Sequence, residues 1–213
     1  MPYDHFSHVN EWVFDLDNTL YSRDADVFGQ MDQLIVGYIQ RELDVDEPTA
    51  SEMQRSYFRE HGATVAGLVR NHGIGTEPFL REVHDLDLSA LRPDPDLREA
   101  IRALPGRKIV FTNGTREHAR RVTEARGLKG VFEALYGTED ALYTPKPERQ
   151  AFDHVFSKAR INGANAAMFE DDPHNLRVPH ARGMRTVLVD GDHVAPHIEF
   201  RTDNLKGFLT QLV

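Results

Sequence analysis

Four short apolar runs, Glu11–Leu16, Lys108–Thr112, Ala166–Glu170 and Arg185–Val189, each give way to a polar turn. Helical patterns sit between the later three, at 115–127, 147–160 and 173–182. Strands that alternate with helices return to one sheet by right-handed crossovers, which makes the sheet parallel and puts helices on its faces. The chain therefore reads as α/β, a Rossmann-like parallel sheet core flanked by helices. A fifth strand is expected near Ala134–Gly137. A last one is expected at Ile198–Arg201, leading through Thr202 or Asp203 as cap into a closing helix.

The first two runs lie about ninety residues apart, far more than one crossover needs. Residues 22–90 show almost no strand-like alternation. Phe28, Met31, Leu34, Ile35, Tyr38 and Ile39 recur at helical spacing, and 49–60, after Pro48, carries Met53, Tyr57 and Phe58. Two more helical segments are expected at 63–72 and 76–87, with Gly73 and Gly75 between them. The prolines of Arg92-Pro93-Asp94-Pro95-Asp96 suit an extended return linker. An all-α domain, 22–93, is thus inserted into a core made of 1–21 and 94–213. Its connections, 21–25 and 89–96, should lie side by side as a hinge. Ligands of open parallel sheets bind outside the carboxyl ends of the strands, so the insert is expected to act as a lid over that edge.

That edge carries the chemistry. The first run ends in Trp12-Val13-Phe14-Asp15-Leu16-Asp17-Asn18-Thr19, and the strand period of two puts Asp15 and Asp17 on one side of the backbone. Two ionised carboxylates that close repel unless a cation sits between them or one carries a proton. Asp15 as nucleophile and Asp17 as acid/base around a divalent metal is one reading, and an acidic loop that caps or turns is the other. The second run ends in Phe111-Thr112-Asn113-Gly114-Thr115. This is either an anion site, with the Thr112 hydroxyl and the amides of Asn113 and Gly114 as donors, or helix capping by Asn113 or Thr115. Lys146 stands between Pro145 and Pro147 before a helix, and that restriction suits an ammonium aimed at a charged nucleophile or a phosphoryl group. The third run ends in Glu170-Asp171-Asp172, acids that need a cation or donors if buried. Hard oxygen ligands favour magnesium, with Asp171 as direct ligand, Glu170 or Asp172 in the outer sphere, and Asn175 ordering the loop.

Composition closes off other classes. The chain has 213 residues, no cysteine and a formal charge of −9. Disulfides, thiolate metal sites and thiol catalysis are excluded. The negative charge argues against a nucleic-acid or anionic-membrane surface. Arg116, Arg120 and Arg121 are interleaved with Glu117 and Glu124, the pattern of a solvated helix face. No apolar stretch reaches the ~20 residues of a membrane span. Met1-Pro2-Tyr3-Asp4-His5 lacks a basic segment followed by an apolar one, so the expected location is cytoplasmic without a secretory leader.

Asp15-Leu16-Asp17-Asn18-Thr19, Thr112-Asn113-Gly114, Lys146 and Glu170-Asp171 resemble, in order, the four motifs of the haloacid dehalogenase superfamily. The helical insert falls at the place of that superfamily's first type of cap. Phe14-Asp15-Leu16-Asp17-Asn18-Thr19-Leu20-Tyr21, with Phe169-Glu170-Asp171 and Asn175-Leu176, is most similar to the pyrimidine 5′-nucleotidase-like branch. The resemblance implies that Asp15 forms an aspartyl-phosphate and that Asp17 protonates the leaving alcohol, then activates water. It implies magnesium held by the Asp15 and Asp171 side chains and the Asp17 carbonyl, phosphoryl binding at Thr112, and charge balance by Lys146. A carboxylate at Asp17 favours a phosphatase over the superfamily's founding dehalogenase activity. Asp172 departs from the uncharged residue common at that position.

The expected function is a magnesium-dependent phosphomonoesterase of small phosphorylated metabolites, with nucleoside 5′-monophosphates leading. A sugar-phosphate phosphatase or phosphomutase uses the same core, and a non-catalytic metabolite-binding protein is the remaining alternative. Tyr57, His61, Thr64, Arg70 and His72 could face a substrate or simply pack the insert. Exposed faces and subunit interfaces look alike in this sequence, which therefore sets no oligomeric state.

Overall fold

The computed structural model describes residues 2–213, the side chains of Pro2 and Tyr3 excepted. By its internal contacts the chain divides into two compact units, one of Met1–Ser22 with Leu91–Val213 and one of Arg23–Ala90.

The larger unit opens on a short helix, α1 (Pro2–Phe6), and the first strand, β1 (Glu11–Phe14). The smaller unit holds α2 (Val27–Leu43), α3 (Glu47–His61), α4 (Thr64–His72) and α5 (Thr76–Val83). The larger unit then continues with α6 (Pro95–Ala103), β2 (Arg107–Phe111), α7 (Arg116–Ala125), β3 (Ala134–Tyr136) and α8 (Arg149–Ala159). It closes with β4 (Ala166–Glu170), α9 (Arg177–Ala181), β5 (Arg185–Val189), β6 (Phe200–Thr202) and α10 (Leu205–Leu209). The six strands form one sheet in the order β3-β2-β1-β4-β5-β6. Every neighbouring pair is parallel.

Alternation along β1 sorts its side chains between two apolar layers. Val13 joins Ile109, Met168 and Leu188 under Phe152, Val155 and Phe156 of α8. Trp12 and Phe14 point the other way, where Phe14 stacks on Phe169 at 4.8 Å and Phe169 meets the edge of Phe208 at 6.1 Å. The register sets Phe14 beside Val110 on one flank and Phe169 on the other. One residue further on, Asp15 therefore stands between Phe111 and Glu170. Parallel pairing alone thus gathers the polar ends of three distant sequence segments.

In the smaller unit, Tyr38 of α2 meets the edge of Phe79 of α5 at 5.1 Å, and Arg41 forks onto Glu82 at 2.7 and 2.9 Å. Gly67 lets α4 approach α3, since a Cβ there would lie 2.3 Å from the Tyr57 ring. Ile39, Ala50 and Leu68 are fully buried.

Several local expectations are corrected. The extended linker expected over 92–96 stops at Asp94, where helix α6 begins: Asp94 accepts from the Leu97 amide as N-cap and Pro95 takes a first-turn position. The segment 173–182 is a 3-10 turn, Pro173–Leu176, followed by the short α9. Helix α5 stops at Val83, where the His84 imidazole turns back onto the Leu80 carbonyl at 2.7 Å. The last helix is capped by Asn204, which accepts from the Gly207 amide, instead of by Thr202 or Asp203. The first strand ends at Phe14 and the last spans Phe200–Thr202, each displaced by one or two residues.

Candidate active site

At the carboxyl edge of the sheet Lys146 is buried among acids. Its Nζ lies 2.7 Å from Asp15 Oδ1, 2.6 Å from Glu170 Oε2 and 3.1 Å from the Phe111 carbonyl. Its loop is braced to the end of β2 by Asn113, whose Nδ2 donates to the Lys146 carbonyl and whose Oδ1 accepts from the Lys146 amide. The Asn113 side chain therefore holds the lysine loop in register with β2. The cap of α7 is Thr115, which accepts from the His118 amide. Thr112 is 1% exposed, and its hydroxyl accepts from the Gly114 amide at 2.9 Å.

Asp15 continues the ladder past β1, its amide donating to the Phe169 carbonyl at 2.9 Å. Thr19 Oγ1 donates to its Oδ2 at 3.2 Å. Asn18, at φ 59°, takes the left-handed conformation that asparagine tolerates, and it donates to Asp171 Oδ2 at 3.3 Å. Glu170 Oε1 accepts from the Asp172 amide at 3.2 Å. The Asp172 carboxylate turns to the amide and ring of His174, so it caps the 3-10 turn and lies outside the acidic group. Asn175 is buried, its amide tied to the Asp172 carbonyl, and its Oδ1 has no hydrogen-bond partner among the described residues.

Oxygen atoms of Asp15, Glu170 and Asp171 lie within 4.8 Å of one another. One ammonium cannot balance three carboxylates. Burial pushes the Asp15 carboxyl up to about 6, a rise that Lys146 opposes and Asp171 and Asp17 reinforce. Burial and the neighbouring Asp15 charge likewise push Glu170 well above the usual carboxylate range. Burial works against the charge of Lys146, but Asp15 and Glu170 outweigh it and hold its pKa above the ordinary lysine value. A hard divalent cation fits this excess of carboxylate oxygen.

Two contributors to the site are given no role by the sequence, although Tyr21 closes the first motif stretch. The Tyr21 hydroxyl donates to Asp17 Oδ1 at 2.6 Å, and His118 Nε2 lies 2.7 Å from the same oxygen. Burial, with the adjacent Asp17 charge, raises the Tyr21 pKa far above its ordinary value, which keeps the hydroxyl protonated. Thr112 Oγ1 sits 3.5 Å from Asp17 Oδ2. The spacing Asp17–Tyr21 falls in a turn, and His118 is one turn into a helix whose first residues read as solvated. A histidine beside arginines on an exposed-looking face gives no hint of its 1% exposure.

Of the cap-segment candidates, Tyr57 and His72 hydrogen-bond to each other at 2.6 Å and Thr64 is buried. On α7, Arg120 pairs with Glu117 and Glu124 in the manner of a solvated face. No helix among the described residues is long and apolar enough to cross a membrane.

The sequence model of the haloacid dehalogenase-like hydrolase family matches residues 12–181, from β1 through α9, and the chain belongs to that family. Among curated proteins it is similar to phosphate metabolism protein 8 of Saccharomyces cerevisiae, 26% identical over 210 residues. That match covers 91% of this chain and 64% of the yeast protein's length. Among solved structures it resembles CbbY from Rhodobacter sphaeroides in complex with phosphate, with a TM-score of 0.65 and 16% identity over 93% of this chain and 95% of that one. The HAD-hydrolase YfnB from Bacillus subtilis bound to magnesium gives a TM-score of 0.59 at 15% identity, covering 96% and 98% of the two chains.

Proposed function

We propose that the protein is a magnesium-dependent phosphomonoesterase that hydrolyses small phosphorylated metabolites through an aspartyl-phosphate on Asp15. The observation that carries this reading is the pair of carboxylates after β1, one bound to the buried Lys146 ammonium and the other held beside Thr112. In the proposed reaction a carboxylate oxygen of Asp15 attacks phosphorus and the ester P–O bond breaks. Asp17 gives its proton to the departing alkoxide. Asp17 then takes a proton from water as the water oxygen attacks phosphorus, which releases inorganic phosphate and restores Asp15. Thr112 and the backbone amide of Asn113 are assigned to the phosphoryl oxygens, with the Gly114 amide holding the Thr112 hydroxyl, and Lys146 balances charge on Asp15 as it becomes phosphorylated.

Asp15, Asp171 and the Asp17 carbonyl are the proposed magnesium ligands, with Glu170 rather than Asp172 in the outer sphere, since Asp172 is taken up by His174, and Asn175 ordering their loop. When bound, the ion neutralises charge on the transferring group. Residues 22–93 are assigned as the cap that selects substrate. Nucleoside 5′-monophosphates are the leading substrates, on the likeness of Phe14–Tyr21, Phe169–Asp171 and Asn175-Leu176 to the pyrimidine 5′-nucleotidase-like branch.

Phosphate release from a panel of nucleotides and sugar phosphates, with magnesium or EDTA, tests the reading. Wild type is expected to turn over only with magnesium, and Asp15→Asn to lose at least ~10³-fold in kcat. Isomerised product without net phosphate release would make the protein a mutase. Ligand binding indifferent to Asp15→Asn, with no turnover in either form, would make it a binding protein.

A further inference from the structure

Asp17 carries two contacts that neither phosphoryl binding nor a metal requires. Tyr21 approaches from the turn after β1 and His118 from the first turn of α7, and both meet the same carboxyl oxygen, Oδ1. Both are buried, at 5% and 1% exposure. The terminal torsion of aspartate is broad, so a single donor would leave the carboxyl free to swing. With His118 in its Nε2–H tautomer, donors from two separate elements meet one oxygen and prevent that, because rotation breaks both bonds at once. They also decide which oxygen works. An oxygen that accepts two donor hydrogens has its lone pairs filled and cannot also carry an acidic proton. Oδ2, on the Thr112 side, is the atom left for that task.

We propose that Tyr21 and His118 are positioning residues that clamp Oδ1 of Asp17, so that this carboxyl exchanges its proton with the leaving group through Oδ2. The inference rests on the phosphomonoesterase reading and adds to it which oxygen acts and what holds it. His118 then donates from Nε2, which defines its tautomer in this site.

Graded aryl phosphates test the clamp. The ratio kcat/KM reports the steps through transfer to Asp15, and protonation matters there in proportion to how poor the leaving group is. Phenyl phosphate needs the proton far more than 4-nitrophenyl phosphate does. With magnesium present, Tyr21→Phe and His118→Leu are each expected to lower kcat/KM for phenyl phosphate about tenfold or more. For 4-nitrophenyl phosphate the loss should stay within roughly threefold, so the dependence on leaving group steepens. Tyr21→Phe removes one oxygen and leaves the ring in place, and His118→Gln, which keeps a side-chain N–H donor, should recover most of the phenyl phosphate rate. Equal losses on both substrates would overturn the clamp and make the two residues structural, as would an unchanged ratio or failure of Gln to rescue. Wild type that releases phosphate neither from these esters nor from any nucleotide or sugar phosphate of the panel would instead overturn the phosphomonoesterase reading itself.

Discussion

Asp15 binds its proton more tightly in the folded protein than in the unfolded chain, because burial moves its pKa from 3.8 to about 6. Between those values the native state holds more protons than the unfolded state, so this group's contribution makes stability fall as pH rises through the interval. A cation that binds the ionised carboxyl reverses the trend. Magnesium is therefore expected to raise Tm little near the bottom of that interval and progressively more up to about pH 6, levelling off above it. Thermal unfolding with and without magnesium across the interval checks this; a shift of equal size at every pH would show that the ion does not engage Asp15. At this scale the sequence is a partial guide. The strand-end placement of Asp15, Thr112 and Glu170 follows from period and register. The Asp17 contacts with Tyr21 and His118 do not, since they depend on how α7 lands on the turn after β1.

Arg126, just past α7, ties down both chain segments that lead to and from the inserted helices. Its guanidinium donates to the Leu20 carbonyl at 3.0 Å, to the Arg92 carbonyl, and to Asp94 Oδ2 at 3.1 Å. Asp94 in turn caps α6. Charge-assisted bonds to partly buried acceptors are worth more than neutral ones, and removing one side leaves the carbonyls unsatisfied. Arg126→Ala is expected to destabilise by about 2–3 kcal/mol, read as a lower urea midpoint at unchanged m. Arg126→Lys should recover less than half, because an ammonium cannot fork across three acceptors. A loss under ~0.5 kcal/mol would show that these bonds only replace hydration. Helix α6 is itself the element that sequence pattern conceals. Pro93 and Pro95 read as breakers, yet a proline at the first turn lacks only an amide that has no partner in any helix. The reverse error falls on 173–182, where Asp172 draws the backbone into a tighter turn before α9 can start.

In the larger unit all six strands and the apolar core under α8 come from residues outside 23–90. The ends of that core, Leu20 and Arg92, converge on one guanidinium, so a short linker can join them. Replacing 23–90 by a Gly-Ser linker is expected to leave a protein with a cooperative urea transition and native near-ultraviolet dichroism. On the proposed function it should still hydrolyse 4-nitrophenyl phosphate slowly with magnesium and lose its preference among metabolites. A non-cooperative transition would mean that the core depends on the insert for its packing. The sequence by itself determined the sheet class, its crossovers and the helical character of the insert, because hydrophobic period and turn chemistry are local properties. It also set which acids, hydroxyls and lysine stand at strand ends. Only the tertiary structure decided that Lys146 lies between Asp15 and Glu170, that Asp172 turns away, and that Tyr21 and His118 share one oxygen of Asp17. Those contacts join residues up to 131 positions apart, and their geometry comes from strand register and helix packing, which no local pattern encodes.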